Sequence, residues 1–144
     1  MQIKPKIKRL IKGHERIATF EFRSEKKYNI NHKKTALIYC ENQFGRVDGK
    51  TAAALVRHSE IYTIVGVIDS SLTGKDAGEE LGEGNSGVLI YSSLEDALEK
   101  LAYVPDFYIY GKAPLDTYIV SNERLMILEA MEKGMDIILS LIHI

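Results

Sequence analysis

From Thr35 onward the chain repeats one unit, an apolar run of strand length, then a polar turn, then a segment with helical periodicity, four times, and ends on a fifth apolar run. The runs are TALIYC (35–40), YTIVGVID (62–69), GVLIY (87–91), DFYIYG (106–111) and MDIILSLIHI (135–144). YTIVGVID is rich in β-branched residues and apolar on both faces, as expected of a strand covered by helices on each side. Between the runs, Ala52, Leu55, Val56 and Ser59 form a mostly apolar stripe, and Leu94, Ala97, Leu98 and Leu101 form another. Ser92 and Glu95 have capping-box spacing, acidic residues open a short helix in DAGEELGEG, and Gly134 stands as the C′ residue after SNERLMILEAMEK. Five strands alternating with four helices predict an α/β fold: a Rossmann-like open parallel sheet of about five strands with helices on both faces and right-handed crossovers.

Ahead of this unit lies a basic extension, 1–34, in which IATFEFR (17–23) alternates like a strand at an antiparallel edge, whereas IKRLIKGHER is too short and too charged to assign. The domain proper is 35–144. The extension holds 11 of the 19 Lys and Arg residues and 3 of the 20 Asp and Glu residues, so it carries +8 and the remainder −9. The lysine-rich stretch 1–12 has no aromatic residue spaced through it as single-strand binding requires, which argues against a nucleic-acid partner. The arm is expected to fold back on the acidic body or to pack on another subunit. No apolar run reaches the roughly 20 residues of a membrane span, and a single cysteine, Cys40, fits a reducing compartment, so the cytoplasm is the expected location.

In an open α/β sheet the ligand crevice lies beyond the carboxyl ends of the strands, where strand order reverses. The first such loop reads CENQFGRVDGKT. Gly45 and Gly49 would let a ligand approach the backbone. The helix start at Lys50 would present amide N–H groups to an anion, with the Lys50 ammonium and the Thr51 hydroxyl beside them. Asp69 ends the second strand 20 residues after Gly49, near the spacing at which an acid meets a ribose hydroxyl. Two readings stay open: a site for a nucleotide or other anion, or glycines serving a tight turn with Asp69 capping SSLTG. Neither G-x-G-x-x-G nor a Walker A loop is present, since three residues rather than four separate Gly45 from Gly49. Cys40 could face the crevice, although a lone cysteine at a strand end is more often simply buried. His14, His32, His58 and His143 have no metal-ligand spacing, so no metal site is expected. No nucleophile–base–acid set can be read, and the Tyr108/Lys112 spacing falls across a strand end rather than along a helix face.

The segments ALIYCENQFGRVDGKTAAALVRHS, IVGVIDSSLTGKDAGE, PDFYIYGKAPL and ILEAMEKGMDI, in this order, resemble the N-terminal Rossmann-like domain of a bacterial and archaeal family. That family was long catalogued as a domain of unknown function and is often labelled NAD-dependent epimerase/dehydratase. Its best understood branch is the DgcN-type D-glutamate N-acetyltransferases. The resemblance covers roughly residues 35–138. It implies a larger C-terminal domain with its own phosphate-binding loop, which would carry much of the chemistry and be absent here. It also implies N-acetyl transfer to a D-amino acid, with this domain incomplete as a catalyst. A nucleotide-containing ligand (acetyl-CoA, ATP or NAD) would be held by Gly45, Gly49, Lys50, Thr51 and Asp69, with Gly111 to Leu115 walling the crevice. Where members of the family run on past the fifth strand, LSLIHI ends, so a fragment is expected. The alternatives are a non-enzymatic docking or dimerisation module, which the apolar fifth strand favours along with a homo-oligomer, and an NAD-dependent oxidoreductase.

Overall fold

The computed structural model describes residues 3–12, 15–24, 34–113 and 121–143, with 3–12, 15–24 and 140–143 described by their backbone. His14 and His32, and residues 114 and 115 of the expected crevice wall, lie outside the described residues. Eleven regular elements follow in order. They are β1 (Ile3–Lys12), β2 (Glu15–Ser24), β3 (Lys34–Tyr39), α1 (Lys50–His58), β4 (Tyr62–Ile68), α2 (Ala77–Glu80), β5 (Leu89–Tyr91), α3 (Leu94–Leu101), β6 (Phe107–Tyr110), α4 (Ser121–Glu132) and β7 (Asp136–His143).

All strands join one seven-stranded sheet in the order β1-β2-β7-β6-β3-β4-β5. The five strands anticipated from periodicity, β3 to β7, are parallel to one another. The chain leaves β3 toward β4 and β5, then returns to β6 and β7 on the other side, so strand order reverses between β3 and β6. The basic extension contributes an antiparallel pair, with β2 placed between β1 and β7. IATFEFR is therefore a strand but not the sheet edge. The edge is β1, whose Lys-rich and Pro-containing sequence suits an unpaired border.

Side-chain alternation divides the core in two. On one face Leu37, Tyr39, Tyr108, Tyr110, Ile137 and Leu139 meet α3 and α4 through Leu94, Ala97, Ile127 and Ala130. On the other, Ala36, Ile38, Cys40, Val67 and Ile109 meet Ala52 of α1, Phe44 and Ala77. Neither face reaches water, which is why these strands read as continuous apolar runs.

Local chemistry sets the helix ends. Ser93, not Ser92, caps α3, accepting the Asp96 N–H at 3.0 Å, while Asp96 returns to the Ser92 N–H and hydroxyl. The cap therefore sits one residue further along than the capping-box spacing predicts. At the end of α4, Gly134 takes φ +95°, its N–H meets the Met131 carbonyl and the Met135 N–H meets Ala130, a Schellman closure. At the opposite border, residues 74–77 run antiparallel along β5 and cover it through three backbone bonds, from Gly74 N–H to Ile90 O, Ile90 N–H to Lys75 O and Ala77 N–H to Val88 O. Among the described residues no helix is long and apolar enough to cross a membrane.

Candidate functional site

The reversal point between β3 and β6 is bordered by the Cys40–Gly49 loop, the start of α1 and the Gly111–Ala113 segment. Asp69, 1% exposed, organises the first of these. Its Oδ1 accepts the Asn42 N–H at 3.1 Å, the Ser71 N–H at 3.0 Å and the Ser71 hydroxyl at 2.5 Å. Its Oδ2 accepts the Phe44 N–H at 3.2 Å. Four donors hold this carboxylate, and at 1% exposure a ribose hydroxyl would reach it only if the loop moved aside. Glu41 adds a second tie by accepting the Ser70 N–H and hydroxyl at 2.6 and 2.9 Å. The loops that follow β3 and β4 are thus bound to each other.

The glycines of this edge differ in purpose. Gly45 turns the chain at φ +80°, and an added Cβ would meet only the Glu80 carbonyl oxygen, at 4.0 Å. Gly49 is buried as the N-cap of α1, and a methyl group there would lie 2.0 Å from the Gln43 carbonyl oxygen and 3.0 Å from Cys40 Sγ. Gly111 allows a close approach of another kind: an added Cβ would meet Ile38 Cγ2 at 2.6 Å and Ala52 Cβ at 3.1 Å. Close helix-on-strand packing, which the third glycine of the dinucleotide fingerprint provides, is provided here by a glycine at the end of β6.

That closeness narrows the hollow expected at the head of α1. The Ala52 N–H is occupied by the Gly111 carbonyl at 3.3 Å, and the Ala113 N–H binds the Asp48 carbonyl at 2.8 Å. Phe44, 3% exposed, packs beneath the loop. What faces outward is a rim in which Arg46, Lys50 and Thr51 are exposed. Neither Arg46 nor Lys50 makes an ion pair among the described residues. The structure brings Gly45, Gly49, Lys50, Thr51 and Gly111 to one edge, and it draws Asp69 inward below them.

Behind the rim, on the α4 side of the sheet, lies a polar cluster absent from the sequence reading. Glu123, in the first turn of α4 and 5% exposed, accepts the Tyr110 hydroxyl at 3.0 Å. Its other oxygen lies 3.3 Å from the Lys112 Nζ. The Tyr39 hydroxyl lies within reach of the same negative charge. Burial, reinforced by Glu123, pushes the Tyr39 and Tyr110 hydroxyls above the ordinary tyrosine range. The Tyr39 ring stacks between those of Tyr108 and Tyr110 at 6.1 and 5.6 Å. Glu123 therefore joins the Tyr110 hydroxyl and the Lys112 ammonium where the helix dipole also favours its charge, and it ties the end of β6 to the start of α4. Lys112 pairs with Glu123, which also holds the Tyr110 hydroxyl, and not with Tyr108. Tyrosines closing two strands that become neighbours were the available signal; nothing in SNER indicates that its glutamate turns inward.

Cys40 is fully buried, and burial followed by the neighbouring Asp69 charge pushes its thiol up to about 12. Such a group is packing rather than a nucleophile. A cavity of about 700 Å³ lies away from this edge, beside β5, lined by Lys75, Asp76, Glu79, Glu80 and Asn85 among others. Its Asp76 is filled by donors from Gly78, Glu79, Ser86 and Gly87.

Comparison with known proteins agrees with this architecture. The family described as a domain of unknown function (DUF1611_N), Rossmann-like domain, matches residues 70–143. Among solved structures, a DUF1611 family protein from Anabaena variabilis is 32% identical, with a TM-score of 0.62, over 71% of this chain. The chain spans 28% of the length of that protein. No curated protein matches.

Proposed function

We propose that this chain, which belongs to the DUF1611_N Rossmann-like domain family, is the nucleotide-binding N-terminal unit of a DgcN-type N-acyltransferase acting on a D-amino acid. Its own part is to hold the phosphates of a nucleotide-containing ligand (acetyl-CoA, ATP or NAD) against the rim between β3 and β6. The supporting observation is the pair of exposed cations, Arg46 and Lys50, which make no ion pair among the described residues and flank the Gly45 turn at the point of strand reversal. Open α/β sheets place their ligands at such points, and phosphates are drawn to exposed cations at a helix start. Lys112 is committed to Glu123 and is not part of the rim. The reacting groups belong to the remainder of the longer enzyme. Titration calorimetry with acetyl-CoA, ATP and NAD tests the reading. One of the three is expected to bind, with affinity reduced in Arg46→Ala and Lys50→Ala; an affinity that neither variant changes would reject the rim.

The closed hollow and the saturated Asp69 favour a second reading, a non-enzymatic module that docks another domain or a second copy. It predicts indifference to all three ligands at millimolar concentration.

A further inference from the structure

We propose that the outer face of α4 is a self-pairing surface, on which α4 of a second copy of this chain lies antiparallel. The inference stands under either reading of the rim. A helix that presents one stripe to a core ordinarily turns polar side chains to water. In α4 the buried stripe is Glu123, Ile127 and Ala130, yet Leu125 and Leu128 are 65% and 53% exposed. At about 100° per residue, Ser121, Leu125, Leu128 and Glu132 line up on the side opposite the buried stripe.

The order of residues along this line selects the occupant. A twofold axis midway along the helix makes an isologous, self-complementary contact. It sets Leu125 of one copy level with Leu128 of the other, and the reverse. It also sets Ser121 and the amide end of one helix level with Glu132 and the carbonyl end of the other, which the helix dipoles favour. Arg124 lies in the amino-terminal half, and Glu129 and Glu132 lie in the carboxyl-terminal half. Antiparallel pairing therefore brings Arg124 within a turn of the opposing Glu132, whereas parallel pairing would set like charges level with each other. A helix of 12 residues is about 18 Å long, so this contact falls at the small end of specific interfaces. A reversible dimer in the micromolar range follows, rather than an obligate one.

Sedimentation velocity on the 144-residue chain, from roughly 1 to 200 µM, tests the proposal. A concentration-dependent monomer–dimer equilibrium is expected. Leu125→Asp combined with Leu128→Asp should give monomer throughout, with an unchanged circular dichroism spectrum and urea midpoint. Arg124→Glu should weaken the dimer several-fold, and adding Glu132→Arg should restore it. Oxidation of Leu125→Cys mixed with Leu128→Cys should link the copies faster than either variant links to itself. A chain that stays monomeric, a dimer untouched by the two aspartates, or preferential linking of Leu125→Cys to itself would each overturn the proposal.

Discussion

If Asp69 is the clamp that shapes the reversal-point edge, removing its carboxylate and neutralising it should have different consequences. Asp69→Ala strips four donors at once. Asn42 and Ser71 are exposed, so water can replace their lost acceptor, but the Phe44 N–H is buried and would be left unpaired. An orphaned buried donor costs about 1–3 kcal/mol, and a hydrogen bond to a charged group contributes about 1.5–3 kcal/mol. The alanine variant should therefore lose about 3–4 kcal/mol. Asp69→Asn can keep an oxygen toward Asn42 and Ser71 while its amide meets the Phe44 N–H, donor against donor. A loss of about 1–2 kcal/mol follows from one bond and the charge. Urea unfolding followed by circular dichroism gives both values from the midpoint at constant slope. Equal costs for the two variants, or an alanine cost below about 1 kcal/mol, would show that the carboxylate does not hold the loop.

Other consequences follow from single positions. Gly49→Ala sets a methyl group 2.0 Å from a backbone oxygen and should cost about 2–3 kcal/mol, whereas Gly45→Ala, with no clash but at φ +80°, should cost about 1 kcal/mol; urea midpoints in the reverse order would refute the distinction. Hydrogen bonding from the Ser86 backbone, foremost among its donors, holds Asp76 at about 2 against an ordinary 3.8. The ionised form therefore supports folding above pH 3.8, and that support fades as pH falls through about 2. The gap in urea midpoint between the native chain and Asp76→Asn should narrow as pH is lowered from about 5 to about 2; a constant gap would contradict the cause given. Cys40, buried with its thiol pushed up to about 12, should resist iodoacetamide at pH 8 in the native chain and react in urea. Labelling at equal rates in both would refute its burial.

The alternation that defines the fold was legible because strands buried on both faces must be apolar throughout, while the helices between them carry a stripe. The hairpin was legible only in half. IATFEFR alternates plainly, but Pro5 and the lysines of β1 resemble a charged arm as much as a border strand. Gly45, Gly49 and Gly111 could be singled out because loops at strand ends need glycine. Whether they open a cradle or close one depends on contacts such as Gly111 to Ala52 and Asp69 to Phe44, which join residues far apart in sequence. Glu123 illustrates the limit most clearly. Its inward turn is fixed by Tyr110 and Lys112, two residues that only the 3D neighbourhood of β6 and α4 brings to it.

The reading of the rim is tested most directly by titrating the isotope-labelled chain with acetyl-CoA, ATP and NAD in turn while following amide resonances. Binding at this edge predicts that one ligand shifts the signals of residues 45–52 and 111–113 together, and that Lys50→Ala abolishes the response. Unmoved signals at millimolar concentration of all three, or shifts confined to another surface, would contradict it.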